Sequence, residues 1–135
     1  GVSDFKSRFS IGSYHFNNWK EKGITYIENS RTKQQMPHYF QFFEDFMNNE
    51  ERFTIELAVK KIKVPMLIIQ GAADATVMEK EARLLHQWNP ESKLKVIEKA
   101  DHSFGTRHPW KGKNLPKDLK KVVENSISFL NKLAL

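Results

Sequence analysis

An acid and an imidazole stand at equivalent places in this 135-residue chain, each a few residues past a short apolar run. Val64-Pro65-Met66-Leu67-Ile68-Ile69-Gln70-Gly71 leads to Asp74, and Leu94 to Ile97 leads through Lys99-Ala100 to Asp101-His102-Ser103-Phe104-Gly105. A buried carboxylate beside an imidazole fixes its tautomer, orients the ring and stabilises the imidazolium formed when the ring accepts a proton. These are two of the three groups needed for nucleophilic acyl transfer. The third, a serine on a G-x-S-x-G turn, occurs nowhere in the sequence. Gly1-Val2-Ser3-Asp4-Phe5 has neither a preceding strand nor a closing glycine, and Ser103 shares the histidine's own loop, so neither serine is a good substitute.

Each residue also has a plainer reading. Asp74 alone could cap a helix beginning near Val77, and His102 alone could be an ordinary loop histidine; the two following strands in parallel is what favours the paired role. Asp101 is expected to hold its loop by accepting from backbone amides. His108 and Trp110 either line a pocket or pack the loop ahead of the last helix, and packing is the better reading. A metal site from Asp74, Asp101, His102 and His108 is set aside, because these residues lack the i, i+4 histidines or thiolates that zinc sites favour. Lys111-Gly112-Lys113 lacks the glycines of a phosphate loop and reads as a surface turn.

The elements that must position the pair follow from the pattern. Pro65 to Ile69 is a short, wholly apolar run ended by Gln70-Gly71, as expected of a strand covered on both faces in a parallel sheet. Val77 to Trp88 places Ala82, Leu84, Leu85 and Trp88 at helical spacing, and Asn89-Pro90 stops it. Leu94 to Ile97 is the next strand, and Leu119, Val122, Val123, Ile127 and Leu130 mark a final helix opening after Leu115-Pro116. Strand, helix, strand of these lengths implies a parallel crossover, with both loops at the carboxyl edge of the sheet where α/β proteins bind ligands. Residues 1–58 form a different, aromatic-rich zone, read as loops and short helices. Within it, Pro37 is expected to open a helix through Met47, with Tyr39, Phe42, Phe43 and Phe46 on one face, and a second helix is expected from Glu50 to about Lys60. The aromatic stripe could roof an apolar pocket, but a core role is the commoner use of such spacing.

Composition narrows the classes. With 39% hydrophobic and 28% charged residues the chain is of folded, one-domain type. Its net charge of +6 would permit nucleic-acid or anionic-membrane contact, yet the basic residues are scattered and Lys60-Lys61-Ile62-Lys63 and the lysines of 117–121 fit solvated helix surfaces. Neither nucleic acid nor membrane is therefore an expected partner. The longest apolar run, Val64 to Ile69, is far short of the ~20 residues that span a bilayer. No cysteine is present, which removes disulfides and thiolate chemistry. Gly1 to Lys6 has no basic-then-apolar leader pattern, so the cytoplasm is the expected compartment.

The blocks Ile62-Lys63-Val64-Pro65-Met66-Leu67-Ile68-Ile69-Gln70-Gly71-Ala72-Ala73-Asp74-Ala75-Thr76-Val77 and Ala100-Asp101-His102-Ser103-Phe104 resemble the acid and histidine blocks of α/β-hydrolases of the dienelactone hydrolase and serine aminopeptidase-like type. Asn29 to Thr32, Met36-Pro37 and Glu44 to Phe46 resemble the cap-like insertion of those enzymes, and Gly1 to Phe9 the segment following the strand after the nucleophile helix. The resemblance implies an α/β fold: the C-terminal portion of a hydrolase core over residues 59–135, with a cap-like helical zone over 1–58. It implies Asp74 and His102 as catalytic residues of a serine hydrolase acting on an ester, thioester or amide without a cofactor, its serine lying outside this chain. The isolated chain is then expected to be inactive, and to self-associate or pair with a complementary N-terminal half. The alternative is a hydrolase-derived module kept for binding.

Overall fold

The computed structural model describes residues 3–133, so Gly1 and Val2, with which the last-named resemblance begins, lie outside the described residues. The described residues divide into two compact units, one formed by Asp4–Ala58 and one by Ser3 with residues 59–133.

The first unit opens with a 3-10 turn, Lys6–Phe9, and helix α1, Tyr14–Lys22. Ser13 caps α1 by accepting from the Phe16 amide at 3.1 Å, and Gly23 ends it at φ +70°, a conformation that costs glycine little. An antiparallel hairpin follows, β1 (Ile24–Glu28) with β2 (Gln35–Tyr39). This corrects the expected helix start at Pro37, which instead sits in mid-strand opposite Tyr26. The strand tolerates it for a geometric reason. The Phe40 amide bonds Gly23 O and the Asn29 amide bonds Gln34 O, so alternation makes Tyr26 and Pro37 a non-hydrogen-bonded pair whose Pro nitrogen owes β1 nothing. At the tip, Asn29 Oδ1 accepts from the amides of Arg31 and Thr32.

Helix α2 accordingly runs Gln41–Asn48, and the expected helix from Glu50 to Lys60 is broken into α3 (Glu50–Phe53) and α4 (Ile55–Lys60). Thr54 makes the break: it is extended, and its hydroxyl bonds back to the Glu50 carbonyl at 2.7 Å. Phe9, Phe16, Trp19, Phe40 and Phe46 form the core of this unit, with Phe43 and Met47 packed on it. Tyr39 falls outside that core and is mostly exposed, so Phe40 fills the place the periodicity gave to Tyr39. The Trp19 indole donates to His38 O at 2.7 Å and stacks on the His38 ring, tying α1 to the hairpin.

The second unit holds β3 (Leu67–Gly71), α5 (Glu79–Trp88), β4 (Lys93–Ile97) and α6 (Lys117–Asn131). β3 and β4 pair in parallel, Leu67 opposite Lys93 through Gly71 opposite Ile97, with α5 as the crossover. Helices and strands thus alternate around a small parallel sheet, as an α/β protein requires. β3 begins two residues later than the apolar run and ends one residue past Gln70, because the pairing reaches Gly71 while Pro65 stays outside. Ser3 belongs to this unit through Glu81 of α5: its amide donates to Glu81 Oε2 at 2.7 Å and its hydroxyl to the same oxygen. Among the described residues no helix is long and apolar enough to cross a membrane.

Candidate active site

The loops after the two parallel strands are stitched together by their main chains. The Ala72 amide donates to Ile97 O at 3.0 Å and the Ala73 amide to Ala100 O at 2.9 Å, continuing the β3–β4 ladder past the sheet edge. Gly71 permits that approach. A Cβ on residue 71 would stand 2.9 Å from Asp101 O and closer still to the carbonyl of Ala100, which is itself 1% exposed. The next residue in one loop is Asp74, and two residues past Ala100 in the other is His102.

Their side chains meet. Asp74 Oδ2 lies 2.9 Å from His102 Nδ1, across 28 residues of sequence. The other carboxylate oxygen, Oδ1, accepts from the amides of Thr76 and Val77, each at 2.8 Å. Asp74 therefore turns its own loop with one oxygen and engages the imidazole with the other. It does not cap α5, which starts at Glu79 after an extended Met78 with no side-chain cap. The helix begins later than expected because Thr76 and Val77 are held in the Asp74 turn.

The two partners differ in exposure, the Asp74 side chain at 6% and that of His102 at 59%. Burial alone would raise the Asp74 carboxyl; the Val77 amide, the His102 imidazole, the Thr76 amide and the Gln70 carboxamide outweigh it and lower it from 3.8 to about 2. At neutral pH Asp74 is thus an acceptor only, so the hydrogen between the two residues belongs to Nδ1. Nε2 of the neutral ring is left as a base, and among the described residues no protein group bonds it.

The serines weighed as nucleophiles are engaged elsewhere, Ser3 with Glu81 and Ser103 with Asp101 Oδ1 at 3.0 Å and Thr106 O at 2.9 Å. Asp101 Oδ1 also accepts from the amides of Ser103 and Gly105. Those contacts, led by the Gly105 amide, hold its carboxyl below the ordinary value. Asp101→Ala is accordingly expected to loosen its own loop first: in hydrogen exchange the Ser103 and Gly105 amides lose protection while those of Thr76 and Val77 keep theirs. Trp110 packs its indole against the backbone of Gly112 and remains about half exposed. Among the described residues no three His, Asp or Glu side chains are grouped to hold a metal ion.

One neighbour of the pair was not legible as such. Gln70, buried in the otherwise apolar β3, points its carboxamide nitrogen at Asp74 Oδ2, 3.1 Å away. In sequence it read only as the end of a strand.

No protein-family model matches the chain. Over 95 residues it is 30% identical to the mouse (Mus musculus) monoacylglycerol lipase ABHD6, a stretch covering 68% of this chain and 28% of that protein. The chain is similar to an α/β-hydrolase. It spans little more than a quarter of that relative's length.

Proposed function

We propose that this chain carries the acid and the base of a serine hydrolase of carboxylic esters. The observation that supports the reading is the 2.9 Å contact between the buried Asp74 carboxylate and Nδ1 of a histidine whose outer nitrogen faces away from it. Nε2 of His102 takes the proton of a serine hydroxyl as its oxygen attacks the ester carbonyl, and Asp74 stabilises the imidazolium. His102 then gives that proton to the departing alcohol, leaving an acyl-serine. Water repeats the sequence: His102 accepts its proton, the acid is released and the serine is restored. The serine comes from outside these 135 residues, which contain no G-x-S-x-G turn. The name of the mouse relative makes monoacylglycerols the first substrate class to examine; thioesters and amides share the chemistry.

The same reading supplies a partner. β4 carries two exposed lysines, Lys93 and Lys95, of the kind that guards a sheet edge, whereas β3 has no charged residue and α6 exposes Ile127 and Leu130. A complementary half bearing the serine adds its strand on the β3 side, and in its absence the chain self-associates. A binding module descended from a hydrolase is the second reading, favoured by the lack of a nucleophile turn in this sequence.

The test is ester hydrolysis by the natural gene product that encodes these residues. Asp74→Asn and His102→Ala are each expected to lower kcat/KM by about 10³–10⁴-fold, and the 135-residue chain alone is expected to resist labelling by a fluorophosphonate. Hydrolysis at the wild-type rate by the His102→Ala protein would overturn the assignment.

A further inference from the structure

We infer that Gln70 is a positioning residue for the acid–base pair, holding Asp74 Oδ2 in line with His102 Nδ1 from inside the sheet. The inference rests on the reading of Asp74 and His102 as that pair. Its basis is the placement of a buried amide where the rest of the strand is apolar. Leu67, Ile68 and Ile69 precede Gln70, and a fourth aliphatic side chain would continue the pattern; burying a carboxamide instead costs stability unless its hydrogens are used.

They are used on one side only. Gln70 Nε2 lies 3.1 Å from Asp74 Oδ2, 2.8 Å from Val77 O and 3.1 Å from Gly71 O. All three neighbours are acceptors, which requires the nitrogen rather than the oxygen of the carboxamide to face them. The bond to Val77 O closes the same turn whose Thr76 and Val77 amides grip Asp74 Oδ1. The bond to Oδ2 completes the carboxylate: Thr76 N, Val77 N, Gln70 Nε2 and His102 Nδ1 now occupy its acceptor sites, two on each oxygen.

A carboxylate held by donors on both oxygens cannot rotate away when the ring is displaced, so the imidazole plane is fixed from strand to ring. Sharing Oδ2 with a second donor also weakens its hold on the Nδ1 proton, which stays on the ring. Gln70 is among the groups that keep the Asp74 carboxyl low. It does not touch the reacting atoms and acts through Asp74.

The experiment uses NMR on the 135-residue chain. In the wild-type protein one Gln70 side-chain N–H is expected to shift as pH falls, with the same midpoint as the Asp74 carboxyl carbon. In Gln70→Met, which keeps the length of the side chain and removes the donor, the Asp74 midpoint is expected to rise by about half a pH unit or more. In the natural gene product the same change is expected to lower kcat about tenfold with KM nearly unchanged. An Asp74 midpoint that stays in place in Gln70→Met overturns the inference. So does a Gln70 N–H that ignores Asp74 titration, a measurement that needs no variant to fold. Failure of the underlying pair looks different: the His102 Nδ1–H signal would then survive Asp74→Asn unchanged. If that signal is lost while Gln70→Met leaves Asp74 untouched, the pair stands and Gln70 alone is reassigned to packing.

Discussion

Gly71→Ala is expected to destabilise the second unit by about 3 kcal/mol, at or beyond the upper end of ordinary overpacking, and to separate Asp74 from His102. The cause is local. The added methyl would meet the Ala100 carbonyl and lie 2.9 Å from Asp101 O, atoms of backbone that no rotamer change can move. Relief requires the 100–102 segment to withdraw from β3, which breaks the bond from the Ala73 amide to Ala100 O and carries His102 with it. Thermal unfolding measures the first effect. The second is read from the His102 side-chain resonances, which should come to resemble those of a free imidazole. A Gly71→Ala protein as stable as the parent would mean that the two loops are not packed as described.

Asp74→Asn is expected to cost about 2 kcal/mol at neutral pH, within the range of roughly 1–3 kcal/mol for leaving a buried donor unmatched, and to remove a pH dependence that the parent shows. Asparagine can still accept from Thr76 and Val77 through its oxygen, but its amide group then faces Gln70 Nε2, donor against donor, and no longer holds the ring hydrogen on His102 Nδ1. The acid side follows by linkage. Asp74 titrates at 3.8 when free and about 2 when folded, so the folded state favours the ionised form. The stabilisation this brings, on the order of 2 kcal/mol, is complete above the free value and disappears as pH falls from about 4 through 2. Urea unfolding followed from pH 6 to pH 2 should show that decline in the parent and lack this component of it in Asp74→Asn. Equal slopes in the two proteins would contradict the buried, hydrogen-bonded Asp74.

The parallel half of the chain was readable because its signals agree with one another. An apolar run, a glycine, a 3.6-residue stripe and a proline stop succeed each other from Val64 to Pro116, and the observed β3, α5, β4 and α6 depart from that reading only at their ends. Those departures have causes the pattern does not contain. Gly71 joins β3 through its pairing with Ile97, and Asp74 delays α5 by claiming the Thr76 and Val77 amides. The aromatic half was harder. Ile24-Thr25-Tyr26-Ile27-Glu28 is five residues long and lies outside any clean alternation, while Tyr39, Phe42, Phe43 and Phe46 happen to keep helical spacing across the junction of β2 and α2. Helix α1 did carry signals at both ends, Ser13 as its cap and Gly23 as its stop, but little apolar periodicity between them.

The candidate site was legible to the extent that it follows strands. Asp74 and His102 could be paired from sequence because parallel strands deliver their following loops to one edge. Gln70 could not, because a glutamine at the end of an apolar run looks like the place where a strand meets solvent. Its burial, and two of its three acceptors, Asp74 Oδ2 and Val77 O, appear only once the turn at 74–77 folds back over it.

The most direct test of the pair is the tautomer of His102, read by long-range nitrogen–proton NMR of the imidazole at pH 9. The ring proton is expected on Nδ1, facing Asp74, with Nε2 unprotonated and free to act as the base, and Asp74→Asn is expected to abolish that preference. A proton found on Nε2, or a ring spectrum indifferent to the loss of the Asp74 carboxylate, would contradict the acid–base pair on which the proposed hydrolase rests.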